Sequence, residues 1–203
     1  MIQPVILAAG LGRRMKASKP LLDIHGQPAL GRLLDTLTDA ALKQPVVVLG
    51  HRADLIQRTV DLSACHVAIN PRPEDGMGSS LAIGLDAVLP QARGVLVFHA
   101  DMPLVRSDTV RAIVAAAETG CRIAIPTFDD ERGFPVYFAR ETLAALRGTL
   151  TGDIGGRTYV DDHLDDVVFV PVEDSGCVID FDRPDDLAKH RTHRGGTACS
   201  TCA

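Results

Sequence analysis

Five short apolar runs punctuate the first two thirds of the chain: Val5-Ile6-Leu7, Val46-Val47-Val48-Leu49, Val67-Ala68-Ile69, Val95-Leu96-Val97-Phe98 and Ile123-Ala124-Ile125. None alternates with polar residues. A strand with one wet face would alternate, so these runs predict strands buried on both faces, as in a parallel sheet covered by helices. Between them the apolar spacing becomes helical, roughly over 28–42, 54–60, 79–89 and 107–119. The last segment opens on Ser107, suited to an N-cap, and closes before Gly120, suited to terminate a helix. Strand followed by helix, four times over, predicts an α/β fold: an open, mostly parallel twisted sheet flanked by helices, Rossmann-like in plan.

After Pro126 the rhythm changes. Strands are predicted over 134–138, 167–170 and 177–179, with shorter intervening helices richer in Gly and Asp. This reads as a small C-terminal, substrate-facing part built onto the same sheet. Residues 1–190 are therefore expected to form a single domain. The polar stretch 191–203, with Gly195-Gly196, is expected to be a flexible tail. Ligands of such folds sit at the carboxyl ends of the strands, so the loops just after each strand carry the chemistry.

Composition narrows the classes. Hydrophobic residues make up 46% and charged residues 23% of 203, the balance of a soluble globular protein. Twenty-one Lys+Arg against 26 Asp+Glu leave a net charge of −5, which argues against a broad nucleic-acid-binding face. No apolar run approaches the ~18 residues of a membrane span. Met1-Ile2-Gln3-Pro4 lacks a signal peptide's charged n-region. The expectation is a cytoplasmic protein with no nucleic-acid or membrane partner. Cys65, Cys121 and Cys177 stand alone in apolar company, as reduced buried thiols do. Cys199 and Cys202 form a CxxC in the polar tail, near His190 and His193 but without a second ligand pair at zinc-site spacing.

Three strand ends carry candidate chemistry. The first runs through Leu7-Ala8-Ala9-Gly10-Leu11-Gly12-Arg13-Arg14-Met15 to Lys19. Its small residues let backbone approach a ligand, and Arg14 and Lys19 suit phosphates. It is neither a dinucleotide-binding GxGxxG, since Met15 stands at the third small position, nor a Walker loop, since Met15-Lys16-Ala17 lacks Gly-Lys-Ser/Thr. The plainer reading is a tight turn with solvated basic residues. Downstream, Asn70 precedes Gly76-Met77-Gly78-Ser79-Ser80, whose serines suit helix caps or a ribose. The fourth strand ends at Asp101-Met102-Pro103, a carboxylate placed either to open a turn or to bind Mg²⁺ with phosphates. Finally, alternation along 178–182 would put Asp180 and Asp182 on one face, unless Asp182 simply marks a helix start.

The ordered set resembles the MobA-like nucleotidyltransferase family, and within it the molybdenum cofactor cytidylyltransferases. The resemblance rests on Leu7-Ala8-Ala9-Gly10-x-Gly12-x-Arg14-Met15 with Lys19, Gly76-Met77-x-Ser79-Ser80-Leu81 and Asp101-Met102-Pro103. Further on it rests on Gly133-x-Pro135-Val136, Gly152-Asp153-x-Gly155-x-Arg157 and Asp180-x-Asp182-x-Pro184-x-Asp186-Leu187, so that it covers roughly residues 3–190. It implies a Rossmann-like nucleotidyltransferase fold and a Mg²⁺-dependent reaction. CTP would be joined to the molybdopterin form of the molybdenum cofactor, giving the cytosine dinucleotide cofactor and pyrophosphate. A molybdenum hydroxylase or its chaperone would be the protein partner.

By the same resemblance, Leu7, Ala8, Ala9, Gly10 and Gly12 would hold the nucleotide with Asn70, Ser79, Ser80 and Asp101. Arg14 and Lys19 would neutralise phosphates, with Lys19, Arg14 and Asp101 as the catalytic group. Asp101, Asp182 and Asp180 would hold the metal, while Phe134, Pro135, Asp153 and Arg157 would line the acceptor side. Relatives that transfer guanylyl usually read Leu-Ala-Gly-Gly where this chain has Leu7-Ala8-Ala9-Gly10. The Ala9 methyl takes up room a purine would need, which favours CTP over GTP. Three departures stand out: Lys16 replaces a usual Gly, Gly78 replaces a Ser, and Phe134 stands where Gly-His-Pro is common. The third widens the acceptor choice to a related pterin or another phosphorylated acceptor. Transfer to a sugar phosphate or polyol phosphate is an alternative, because that chemistry uses the same Gly-rich loop and acidic pair. A non-catalytic cofactor-delivery protein is the alternative from another class.

Overall fold

The computed structural model describes residues 1–10, 18–152 and 155–181. Among the described residues ten strands appear: β1 (Ile2–Ala8), β2 (Asp23–Ile24), β3 (Gln27–Pro28), β4 (Val46–Leu49), β5 (His66–Ile69), β6 (Gly94–His99), β7 (Ile123–Phe128), β8 (Glu131–Arg132), β9 (Val136–Ala139) and β10 (Val167–Pro171). The α-helices are α1 (Ala29–Asp39), α2 (Ala53–Thr59), α3 (Met77–Asp86), α4 (Ser107–Glu118), α5 (Leu143–Thr149) and α6 (Arg157–Asp161). β2 and β3 form a separate two-stranded ribbon, and the other eight strands make one sheet in the order β10-β7-β9-β6-β1-β4-β5, with β8 paired to β7.

All of the first five apolar runs are strands of this sheet, and β5, β4, β1 and β6 are mutually parallel. For β1, β4, β6 and β7 the unbroken apolar character has the expected cause, helices on both faces. β5 departs from that expectation, because it is the edge strand, with Val67 and Ala68 half-buried and Ile69 50% exposed. Ile6, Leu49, Val47 and Phe98 pack under α1, α2 and α4 through Leu33, Ile56 and Ile113. Val5, Val48 and Val97 face the other way, under α3, α5 and α6 through Leu81, Leu146 and Tyr159. The predicted C-terminal part joins the same sheet, β9 antiparallel to both β6 and β7. Because β9 reverses direction, β7 again runs parallel to β6, and its carboxyl end returns to the side where β1 and β6 end.

Among the described residues no helix is long and apolar enough to cross a membrane. The tail 191–203, with Cys199 and Cys202, lies outside the described residues. Cys65, Cys121 and Cys177 are free thiols. Burial raises all three, Cys177 to about 11, so they stay protonated near neutral pH.

Two local expectations are corrected. The strand predicted over 177–179 is instead a 3₁₀ turn at Ser175–Cys177 followed by non-strand chain. The three-residue apolar run there is too short to choose between strand and turn. Ser107 does not cap α4 either; Arg106 holds the cap position and no side chain of its own caps the helix. The cap comes from the distant, buried Asp174, whose carboxylate accepts from Arg106 N at 2.9 Å, Thr109 Oγ1 at 2.6 Å and Gly176 N at 3.0 Å. Gly120 does follow the end of α4 with φ +89, as a terminating glycine should.

Asp174 thus pins the segment that leads to Asp180 against the sheet. Asp174→Ala would leave a buried hydroxyl and two backbone amides without their acceptor. It is expected to lower stability by about 2–4 kcal/mol. Chemical denaturation checks this, and a loss below about 0.5 kcal/mol, the level of an ordinary surface change, would contradict it.

Candidate active site

The strand order reverses at β1: β4 and β5 lie on one side of it, β6 on the other. In open α/β sheets the crevice at such a switch point, beyond the carboxyl ends of the strands, is where ligands enter. Here β1 delivers Leu7, Ala8, Ala9 and Gly10 to the crevice, and β6 delivers His99, Ala100 and Asp101. The two ends are stitched together by Ala100 N donating to Leu7 O at 3.1 Å.

Along the β1 end exposure rises from buried Ala8 and Ala9 to exposed Gly10. Gly50, after β4, backs this turn so closely that a Cβ there would come within 2.7 Å of Ala9 O. Any side chain at position 50 would force this turn or the end of β4 to shift. The continuation with Gly12, Arg14 and Lys16 lies outside the described residues.

On the far side of β4, the buried Asn70 organises the start of α3. Its Nδ2 donates to Ser79 Oγ and Ser80 Oγ, each at 2.9 Å, and its Oδ1 accepts from Arg72 N at 2.9 Å. Ser79 Oγ in turn donates to Gly76 O at 2.8 Å. The serines are therefore not caps; Gly76 holds the cap position, and the hydroxyls sit in the first turn tied to Asn70. Asn70, Ser79 and Ser80, singled out separately by the sequence, are brought into one cluster. α3 can lie directly on β1 and β4 because Gly84 faces them; a Cβ there would meet Val5 Cγ1 at 2.6 Å.

The crevice closes on Lys19 and Asp101. These residues, 82 apart in sequence, form an ion pair with Lys19 Nζ donating to Asp101 Oδ2 at 2.8 Å, each side chain 19% exposed. Asp101 also receives, at its carbonyl, the amide of Phe181 at 3.0 Å, which sets Asp180 beside it in the chain. Asp182 lies outside the described residues. Among the described residues no group of three or more His, Cys, Asp or Glu is clustered as a ready-made metal cage.

Past β6, Phe134 and Pro135 precede β9, and Phe134 N donates to Cys177 O at 2.8 Å. Asp153 lies outside the described residues, but its flanks are placed. Gly152 O accepts from Gly78 N at 2.9 Å, so this loop closes on the first turn of α3. Arg157, at the start of α6, is 91% exposed and within 3.8 Å of Asp161. One residue escaped the sequence reading. His99 packs its ring against Phe134 with centroids 4.2 Å apart. Burial lowers its pKa, the nearby Asp101 charge opposes that, and Lys19 adds to it. The available signal was its place at the end of the same apolar run, two residues before Asp101.

A family model described as the MobA-like NTP transferase domain matches residues 4–167, most of the chain and every element above from β1 to the start of β10. The chain belongs to that family. This nucleotidyltransferase-family chain is 31% identical to the bifunctional protein GlmU of Bordetella petrii over 138 residues, 66% of its own length. It spans only 30% of that relative. The crystal structure of Rv0371c from Mycobacterium tuberculosis superposes with a TM-score of 0.85 at 29% identity, covering 93% of this chain and 95% of that one. The Rv0371c complex with manganese superposes at 0.79 with 27% identity, covering 93% and 96%. The Rossmann-like nucleotidyltransferase plan expected from the sequence is the fold observed.

Proposed function

We propose that this chain, as a single domain over 1–190, transfers the cytidylyl group of CTP to the terminal phosphate of the molybdopterin form of the molybdenum cofactor. The Lys19–Asp101 pair at the switch point, facing the small-residue end of β1, is the observation that carries this reading. An oxygen of the acceptor phosphate forms a bond to the α-phosphorus of CTP, and the bond from that phosphorus to the bridging oxygen breaks. Pyrophosphate leaves with that electron pair. The nucleophile is already anionic, so positioning and charge neutralisation carry the catalysis.

The backbone of Ala8, Ala9, Gly10 and Gly12 approaches the nucleotide, while Asn70 holds Ser79 and Ser80 at its border. Arg14 and Lys19 neutralise phosphates, and Lys19 stabilises the charge that develops on transfer. Phe134, Pro135, Asp153 and Arg157 line the acceptor side. The donor set fits a divalent cation: Mg²⁺ prefers one or two carboxylates plus substrate phosphates over an all-protein cage, and Asp101 with Asp180 and Asp182 offers that. Mg²⁺ bound there supplies charge neutralisation for the triphosphate and the leaving pyrophosphate. The manganese complex of the Mycobacterium tuberculosis structure supports a divalent ion in this fold. A molybdenum hydroxylase or its chaperone would receive the product.

Ala9, standing where guanylyl-transferring relatives usually carry Gly, is what favours cytosine over a purine in this reading; its buried side chain packs with Val5 and Val48. Calorimetric titration with each nucleotide in the presence of Mg²⁺ tests this. CTP is expected to bind at least about tenfold tighter than GTP, a difference of about 1.4 kcal/mol. Equal binding, or preference for GTP, sinks the base assignment. Pyrophosphate release with molybdopterin, a sugar phosphate and a polyol phosphate tests the acceptor. Turnover with a sugar phosphate alone would overturn it, and no turnover with any acceptor would leave a delivery protein.

A further inference from the structure

His99 stands at the seam between the two substrate sides. The β6–β9 register pairs Val97 with Val136, and its continuation by two residues sets His99 opposite Phe134. The rings meet at 4.2 Å between centroids, tilted by 48°. Val95 and Val97 point into the core under α3, α5 and α6, and alternation puts His99 on that same face where the core gives way to the crevice. Two residues on, in the turn that follows β6, Asp101 pairs with Lys19. The imidazole touches Phe134 and lies near enough to Asp101 and Lys19 to feel the charge of both.

The ring is only partly enclosed, and it makes no hydrogen bond among the described residues. An imidazole brings at least one N–H donor, and its second nitrogen is an acceptor when the ring is neutral. Its ring nitrogens are not among the buried unpartnered polar atoms, so they stay reachable from the crevice, where a valine continuing the Val95-Val97 pattern would offer a ligand nothing to bond. The ring thus presents hydrogen-bonding nitrogens beside Phe134 and the Lys19–Asp101 pair.

We propose that His99 positions the acceptor substrate: one ring nitrogen hydrogen-bonds the phosphorylated acceptor beside its attacking phosphate, while Phe134 fixes the orientation of the ring. The acceptor class follows from these walls. It is a phosphomonoester with a hydrogen-bonding group next to the phosphate and a flat surface that rests against Phe134. The inference rests on the nucleotidyl-transfer reading above, but it concerns the acceptor side whatever the base of the nucleotide.

Steady-state kinetics with each substrate varied in turn tests it on three proteins: wild type, His99→Phe and His99→Asn. His99→Phe keeps a flat apolar ring and removes the hydrogen bond. It is expected to lower kcat/KM for the acceptor by about 10–100-fold while the KM for CTP stays within about twofold. His99→Asn restores a donor and an acceptor and is expected to recover part of the loss; it also keeps the test open if the Phe variant fails to fold. A loss shared equally between the two substrates, or an Asn variant no better than Phe, would mark His99 as a packing residue and overturn the proposal. So would an acceptor kcat/KM within threefold of wild type in a stable Phe variant. If wild type turns over another phosphorylated acceptor, or uses GTP, the cofactor reading falls and the same comparison with that pair still judges His99. A chain that turns over no phosphorylated acceptor overturns both.

Discussion

Asp101→Ala is expected to abolish nucleotidyl transfer, with kcat lowered on the order of 10³-fold or more, while the protein stays folded. The two halves of that outcome come from different energies. Among the described residues the Asp101 side chain makes one ion pair, with Lys19, and each side chain is 19% exposed. Part-exposed pairs of this kind contribute about 0–1 kcal/mol. For a chain of this size that moves the thermal midpoint by about 2–4 °C at most. The side chain's loss leaves the Phe181 contact intact, because that bond goes to the Asp101 carbonyl. The chemical step, by contrast, would lose the carboxylate proposed to hold a divalent ion against the triphosphate. Thermal denaturation and pyrophosphate release, measured on the same preparation, separate the two. Turnover within tenfold of wild type in a folded variant would remove Asp101 from the metal site.

Lys19→Ala is expected to lower kcat by about 30–1000-fold, corresponding to 2–4 kcal/mol of transition-state stabilisation. The ammonium lies at the mouth of the crevice, 2.8 Å from Asp101, where charge on a transferring phosphoryl group would develop. A donor that acts on developing charge depresses kcat and kcat/KM together, whereas one that only binds ground-state phosphates raises KM alone. Steady-state kinetics with CTP varied makes that distinction. A rise in KM with unchanged kcat would recast Lys19 as a nucleotide-binding residue. Lys19→Arg keeps the charge but changes its geometry from a point to a planar fork. Its partial activity, compared with alanine, would show how far position matters beyond charge.

Much of the site is legible in the chain because strand ends are legible. An apolar run of β-branched residues reports burial on both faces, and whatever follows it must emerge at an edge of the sheet. That logic located Leu7–Gly10 and Asp101 without any knowledge of the strand order. It failed where the deciding contact was distant. Ser107 had the right chemistry to cap α4, yet the capping carboxylate comes from Asp174, 68 residues from the Arg106 amide it holds. Ser79 and Ser80 read as caps for the same reason, and only the folded chain shows Asn70 bonding to both. His99 went unnoticed because a histidine inside an apolar run has no local signature of function.

The sequence alone determined the class of the fold, the alternation of its elements and the chemical character of each loop. These depend on residues within a few positions of one another, and period and composition record them directly. Tertiary structure decided which loops meet. The antiparallel insertion of β9 between β6 and β7 sets Phe134 against His99, and the reversal of strand order at β1 joins Lys19 to Asp101 across 82 residues. Such encounters are set by the order in which strands pair, a property of the whole buried sheet. No local pattern of side chains contains it.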